Sequence, residues 1–236
     1  TVALIKKLSP DRITMLKYCH APHLRKHMKI LDTYKMAEEE EKAWMFFDAL
    51  DNFKSSGWEH ISIDHFAKPS DSLVQAQKDK NMKRSFIGFS SGGCDAMLGI
   101  GPSSTIRIND YYFQNTCNLE AYSERVSKGV FPITNGYKLT KDDLIRREVI
   151  ELFLCQDSVN IEEIENRYNI NFKNYFKDDI SALDRFVEDK MLERSESELK
   201  ITDLGKVFNR HICRVFDNFI KDKEYKIHGT GNKNHI

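Results

Sequence analysis

The chain has 236 residues, with 36 Lys+Arg balanced by 36 Asp+Glu, and contains 8 His and 5 Cys. Apolar residues make up 40% and aromatics 11%, enough to bury a core, so disorder as the default state is excluded and the length admits one large domain or two small ones. No apolar run approaches the ~20 residues of a membrane span, and nothing near Thr1 reads as a leader with a cleavage site; the expectation is a soluble, cytoplasmic protein with no membrane partner. Cys19, Cys94, Cys117, Cys155 and Cys213 are far apart and never in Cys-x-x-Cys. They argue against a disulfide framework or a self-contained zinc or iron–sulfur site, so no metal ligands are assigned.

The balanced charge is unevenly spread. Residues 1–35 carry eight Lys/Arg against Asp11 and Asp32, and residues 36–64 carry eight acids against Lys42 and Lys54. Two solvated surfaces of opposite sign account for this; a basic segment facing an anionic ligand is the sharper alternative.

In chain order, residues 2–8 read as the last turns of a helix. After the break at Ser9-Pro10-Asp11, Arg12 to Tyr18 alternates with a period near two, as a strand does. Glu38 to Ser55 places Ala43, Phe46, Phe47, Leu50 and Phe53 at helical spacing, with glutamates in the first turn where the helix dipole favours them. Gly57 should end this helix, and His60 to Phe66 alternates as a second strand. Strand, helix, strand predicts a βαβ unit whose strands are parallel neighbours. A chain that starts in mid-helix without methionine suggests the back half of a longer α/β protein.

From Phe86 to Tyr112 the composition shifts, with Gly88, Gly92, Gly93, Gly99 and Gly101 packed into fourteen residues. Glycine permits close backbone approach or positive φ, so this is the most site-like local stretch. It is neither a dinucleotide fingerprint nor a P-loop, and turn-rich hairpin structure explains the glycines equally well. Beyond it, Thr140-Lys141-Asp142-Asp143 is a capping-box pattern followed by Ile145, Val149, Leu152 and Phe153 at helical spacing. Helices are expected over Asn160 to Tyr168, Ile180 to Leu192 and Leu204 to Ile220, with a hairpin or wing at Arg194 to Thr202. The expected division is a first domain at 1–135, a helical domain at 136–225 and a flexible tail at 226–236.

Three constellations could carry chemistry. His20, His23 and His27 would share a face if helical, but Pro22 interrupts them and no carboxylate or thiol joins at matching spacing, so surface or single-role histidines are preferred over a metal triad. Asp64-His65 at a strand end could form an oriented carboxylate–imidazole pair, although adjacent strand residues point to opposite faces and need not touch. Helix, turn, helix and wing after residue 160 is the silhouette of a winged helix. However, acids outnumber bases from Lys177 to Lys190, and structural packing is preferred to nucleic-acid binding.

The ordered motifs Pro10-Asp11-Arg12, Tyr18-Cys19-His20-Ala21-Pro22, Gly57-Trp58-Glu59, Asp64-His65-Phe66-Ala67-Lys68-Pro69, Arg84-Ser85-Phe86-Ile87-Gly88-Phe89, Leu98-Gly99-Ile100-Gly101, Gln114-Asn115 and Thr140 through Arg147 closely resemble one family. They are similar to the carboxy-terminal half of the oxygen-independent coproporphyrinogen III oxidases, or dehydrogenases, radical S-adenosylmethionine (SAM) enzymes of haem synthesis. The resemblance implies an α/β chain made of the last strands of an incomplete parallel (β/α) barrel, followed by a mainly helical, winged-helix-like domain. It implies oxidative decarboxylation of two propionates of coproporphyrinogen III to give protoporphyrinogen IX, with a [4Fe-4S] cluster, two SAM molecules and an electron donor protein, in a monomer. The family's Cys-x3-Cys-x2-Cys cluster motif is absent, so the ligands should lie outside this chain, which alone should be inactive.

Residue by residue, the resemblance assigns Cys19 to the second SAM and Thr105, in place of an isoleucine, to the cluster-bound SAM. Phe86, Ile87, Asp64, His65 and Arg25 would lie in the substrate or SAM vicinity, with Arg12 and Lys17 as further cations for substrate carboxylates. Ile87 replaces the family's usual Gln, which removes an amide. That departure motivates an alternative: a haem- or tetrapyrrole-binding relative without oxidase activity.

Overall fold

The structure is a computed structural model that describes residues 1–92 and 96–221; Cys94 and the expected tail at 226–236 lie outside the described residues. Helix α1 (Val2–Leu8) ends at Ser9 in the left-handed region, φ 48°, and strand β1 (Arg12–Thr14) follows. A short 3-10 helix (Lys26–Thr33) leads to α2 (Glu39–Ser55). The α2 N-terminus is closed by reciprocal bonds between Glu38 and Glu41, and its three first-turn glutamates oppose the helix dipole as the sequence requires. Next come β2 (Glu59–Ser62), β3 (His65–Ala67), α3 (Ser72–Lys78), β4 (Lys83–Ser85) and β5 (Gly88–Ser90). Strands β6 (Thr105–Ile108) and β7 (Tyr111–Asn115), helix α4 (Leu119–Ser127) and strand β8 (Ile133–Lys138) complete the first part.

The expected βαβ unit does not form. The segment from His60 to Phe66 is a hairpin, because Ile63 adopts φ 51° and reverses the chain between β2 and β3. Strand β3 lies between β1 and β2 and is antiparallel to both, so β1 and β2 are not hydrogen-bonded neighbours. The strand expected to reach Tyr18 stops at Thr14, because only Arg12, Ile13 and Thr14 face β3. Every strand pairing among the described residues is antiparallel. The glycine-rich region folds as two antiparallel units, β4–β5 and β6–β7–β8.

Helix α5 (Lys141–Gln156) begins with the expected capping box, in which Thr140 and Asp143 satisfy each other's backbone N–H groups. It is followed by β9 (Ser158–Asn160), α6 (Ile161–Tyr168), α7 (Phe172–Tyr175), α8 (Lys177–Ala182) and α9 (Asp184–Glu188). Strands β10 (Leu192–Arg194) and β11 (Glu198–Ile201) then precede α10 (Asp203–Val207), α11 (Asn209–Val215) and α12 (Asn218–Lys221). The helix expected over Ile180 to Leu192 is split at Leu183, and Leu192 instead enters β10, where it pairs with Ile201. The long last helix is likewise broken into three by turns at Phe208 and at Phe216-Asp217. Periodicity registers an apolar face and is blind to such offsets, which keep that face on the core.

Three apolar clusters hold the fold. One joins Ile13, Leu50, Phe53, Trp58 and Phe66, sealing α2 against the β1–β3–β2 sheet, with the Trp58 indole N–H donated to the Pro10 carbonyl at 2.9 Å. A second packs Ile61, Ala67, Leu73, Val74 and Met82 against Cys155 of α5. The largest gathers Ile145, Val149 and Phe153 of α5 with Phe172, Phe176, Ile212 and Phe216. Helix α5 therefore belongs to two cores at once.

Candidate functional site

Asp64 and His65 come together, and the turn explains how. Asp64 occupies the β2–β3 turn, so strand alternation does not separate it from His65; the Asp64 Oδ1 to His65 Nδ1 distance is 2.6 Å, misaligned for a hydrogen bond. Three bonds hold the turn: Met15 donates its N–H to the Asp64 carbonyl at 2.8 Å, Ile63 donates to the Lys206 carbonyl at 3.1 Å, and His60 Nε2 donates to the Ile63 carbonyl at 3.0 Å. The second carboxylate oxygen, Oδ2, accepts Arg210 Nη2 of α11 at 2.8 Å. Burial pushes the Asp64 carboxyl up, but His65 and Arg210 outweigh it and leave the group below its ordinary range.

Around this pair lie two groups from the β4–β5 hairpin. The Phe89 ring meets the His65 ring edge-to-face at 4.9 Å, and the Arg84 guanidinium lies over Phe89 at 4.5 Å. Burial pushes Arg84 down, with Asp64 countering and Arg210 adding to the shift. Phe86 and Ile87 form the exposed tip of this hairpin, where Gly88 takes φ +145° to close the turn. The sequence reading missed Arg84, Phe89 and Arg210. The first two sit inside a quoted motif, whereas nothing local marks Arg210, whose partner is 146 positions away.

The remaining candidates are distributed elsewhere. Cys19 is exposed in the irregular segment after β1, and Arg25 is exposed beside the 3-10 helix with no ion pair among the described residues. Arg12 and Lys17, expected as cations for a ligand, are engaged within the protein: Arg12 donates twice to Asp71, at 2.8 and 2.9 Å, and Lys17 meets Glu39 at 2.5 Å. His20, His23 and His27 do not share a helical face; His20 pairs with Asp32 at 2.6 Å, and no group of metal-ligating side chains occurs among the described residues. Thr105 starts β6, opposite Gln114 and on the face away from buried Ile106. At Gly99 a Cβ would fall 2.3 Å from the Thr105 carbonyl, so this glycine serves chain packing. Asn115, buried, donates to the Gly101 carbonyl at 3.0 Å and braces the same loop.

The HemN C-terminal domain family matches residues 139–208. The chain is 34% identical to the oxygen-independent coproporphyrinogen III oxidase of Synechocystis over 94% of its length and 49% of the relative's. It is 30% identical to the protein of that name from Thermostichus vulcanus, over 94% of this chain and 69% of the relative. A solved structure described as coproporphyrinogen III oxidase (HemN) from Escherichia coli, a radical SAM enzyme, superposes with a TM-score of 0.88 at 29% identity, covering 93% of this chain and 51% of that one. The chain spans about half the length of most of these curated relatives. It belongs to the oxygen-independent coproporphyrinogen III oxidase family.

Proposed function

We propose that this chain supplies the substrate-side half of an oxygen-independent coproporphyrinogen III oxidase, an oxidoreductase that converts two propionates of coproporphyrinogen III to vinyl groups. The observation that carries this is the superposition on the radical SAM enzyme over 93% of the chain. In the proposed division, residues 1–135 complete an incomplete (β/α) barrel and residues 136–225 form the winged-helix-like domain. The open edge of β1, a terminal strand of its sheet, supports the first part, and the small β10–β11–β9 sheet supports the second.

Among the described residues, the thiols do not fit a [4Fe-4S] cluster. Cys19 and Cys117 are exposed on separate segments, while burial pushes Cys155 up to about 12 and Cys213 up as well. No step through the cluster is therefore assigned to these residues. SAM, when bound, supplies the hydrogen-abstracting radical of this chemistry. Cys19 and Thr105 are the small side chains that suit its adenosine, and Phe86 and Ile87 offer exposed apolar surface to the substrate. Asp64 and His65 would orient the substrate, with an electron donor protein as partner of the monomer.

Anaerobic turnover of coproporphyrinogen III to protoporphyrinogen IX by the full-length protein with SAM and a reductant tests the proposal. Tetrapyrrole binding without turnover would instead favour the non-oxidase relative, the reading to which Ile87 points.

A further inference from the structure

The β4–β5 hairpin presents two chemically different surfaces within a few residues. Its tip is apolar and open, with Phe86 78% and Ile87 83% exposed. Behind the tip, Arg84 is half-buried and its Nη1 is enclosed with no acceptor. The charged and titratable groups acting on Arg84 are Asp64 from the β2–β3 turn, Arg210 from α11 and Cys155 from α5. Asp64 is already engaged by Arg210, and Glu151 of α5 meets the Arg84 backbone N–H at 3.4 Å rather than its guanidinium. Neither carboxylate thus meets Nη1. The vacant donor is answered by one external carboxylate, which a guanidinium can grip with two parallel N–H groups. Inorganic phosphate could offer the same oxygens, but it would leave the apolar tip unused.

We infer that Arg84 is a specificity-determining residue, receiving one carboxylate of a polycarboxylate ligand whose apolar ring system rests on Phe86 and Ile87. The inference rests on the proposed function and refines it, because coproporphyrinogen carries four carboxylates on a large apolar macrocycle.

The test uses the full-length protein with coproporphyrin III, a fluorescent tetracarboxylate, and its tetramethyl ester. Arg84→Met should weaken binding of the free acid by roughly tenfold or more and leave the ester unchanged, with Arg84→Lys falling between. Unchanged affinity of Arg84→Met for the acid would overturn the inference while leaving the proposed function intact. Failure of the unaltered protein to bind the acid would overturn both. If Arg84→Met does not fold, the Arg84 Nε–H resonance of the unaltered protein decides: it should shift with the acid and not with the ester, and an unmoved resonance removes the idea.

Discussion

The Asp64 carboxylate sits between His65, its neighbour in sequence, and Arg210, which arrives from α11 near the other end of the described chain. Because its folded pKa is depressed, its contribution to stability is present above the unfolded value of about 4 and is lost as pH falls through the lower folded value. Asp64→Asn should therefore cost on the order of 1–3 kcal/mol at pH 7, and the deficit relative to the unaltered protein should shrink below about pH 4. Urea unfolding at pH 7 and at pH 3 measures both; a deficit that grows on acidification contradicts the assignment. Of this site, the Asp64-His65 pair was legible because both residues lie in one short motif. The contact itself was not, since it depends on Ile63 taking φ 51°, a conformation no pattern of alternating residues announces.

Helix α5 is the element whose sequence signals were most complete. Its capping box and its apolar repeat both appear at the expected residues, because capping is local chemistry read within one turn. Thr140→Ala should lower stability by about 1 kcal/mol in urea titration. Gly205→Ala in α10 should cost more, roughly 1–3 kcal/mol, because the new Cβ would fall 1.9 Å from the Met191 carbonyl and 2.9 Å from an Ile201 methyl. A Gly205→Ala protein as stable as the parent would show that α10 is free to move off the β10–β11 hairpin. The segments 180–192 and 204–220 illustrate the opposite case. Their apolar spacing predicts two continuous helices, but turns at Leu183, Phe208 and Phe216 divide them; Leu183 and Phe216 pack into the core, and the Phe208 ring lies 6.4 Å from that of Phe47 on α2.

At the scale of the molecule, the polar links between its two parts range from exposed pairs such as Lys54–Asp203 to bonds sealed in the interior. Asn209, fully buried, donates to the Phe153 carbonyl at 2.8 Å and to Ser62 Oγ at 3.3 Å, and accepts from Cys213 Sγ at 3.1 Å, so α11, α5 and β2 meet at one side chain. Cys155 belongs to the apolar cluster of the first part and Cys213 to that of the second. In a Cys94→Ser background, Cys19 and Cys117 should react promptly with a thiol reagent, being exposed. Cys155 and Cys213 should become reactive through one common opening, with equal free energies of protection across sub-denaturing urea. A smaller protection at Cys155 would show that the two parts unfold separately.

The helix starts at Glu39 and Lys141, the scattering of the thiols and the ordered motifs of the family are legible along the chain alone, because residue identity, capping and short motifs are local properties. The insertion of β3 between β1 and β2, the engagement of Arg12 and Lys17 by Asp71 and Glu39, and the closure of Arg210 on Asp64 emerge from the folded chain alone. Those outcomes depend on which distant groups are brought within a few ångströms, and pairing energies act only at that range.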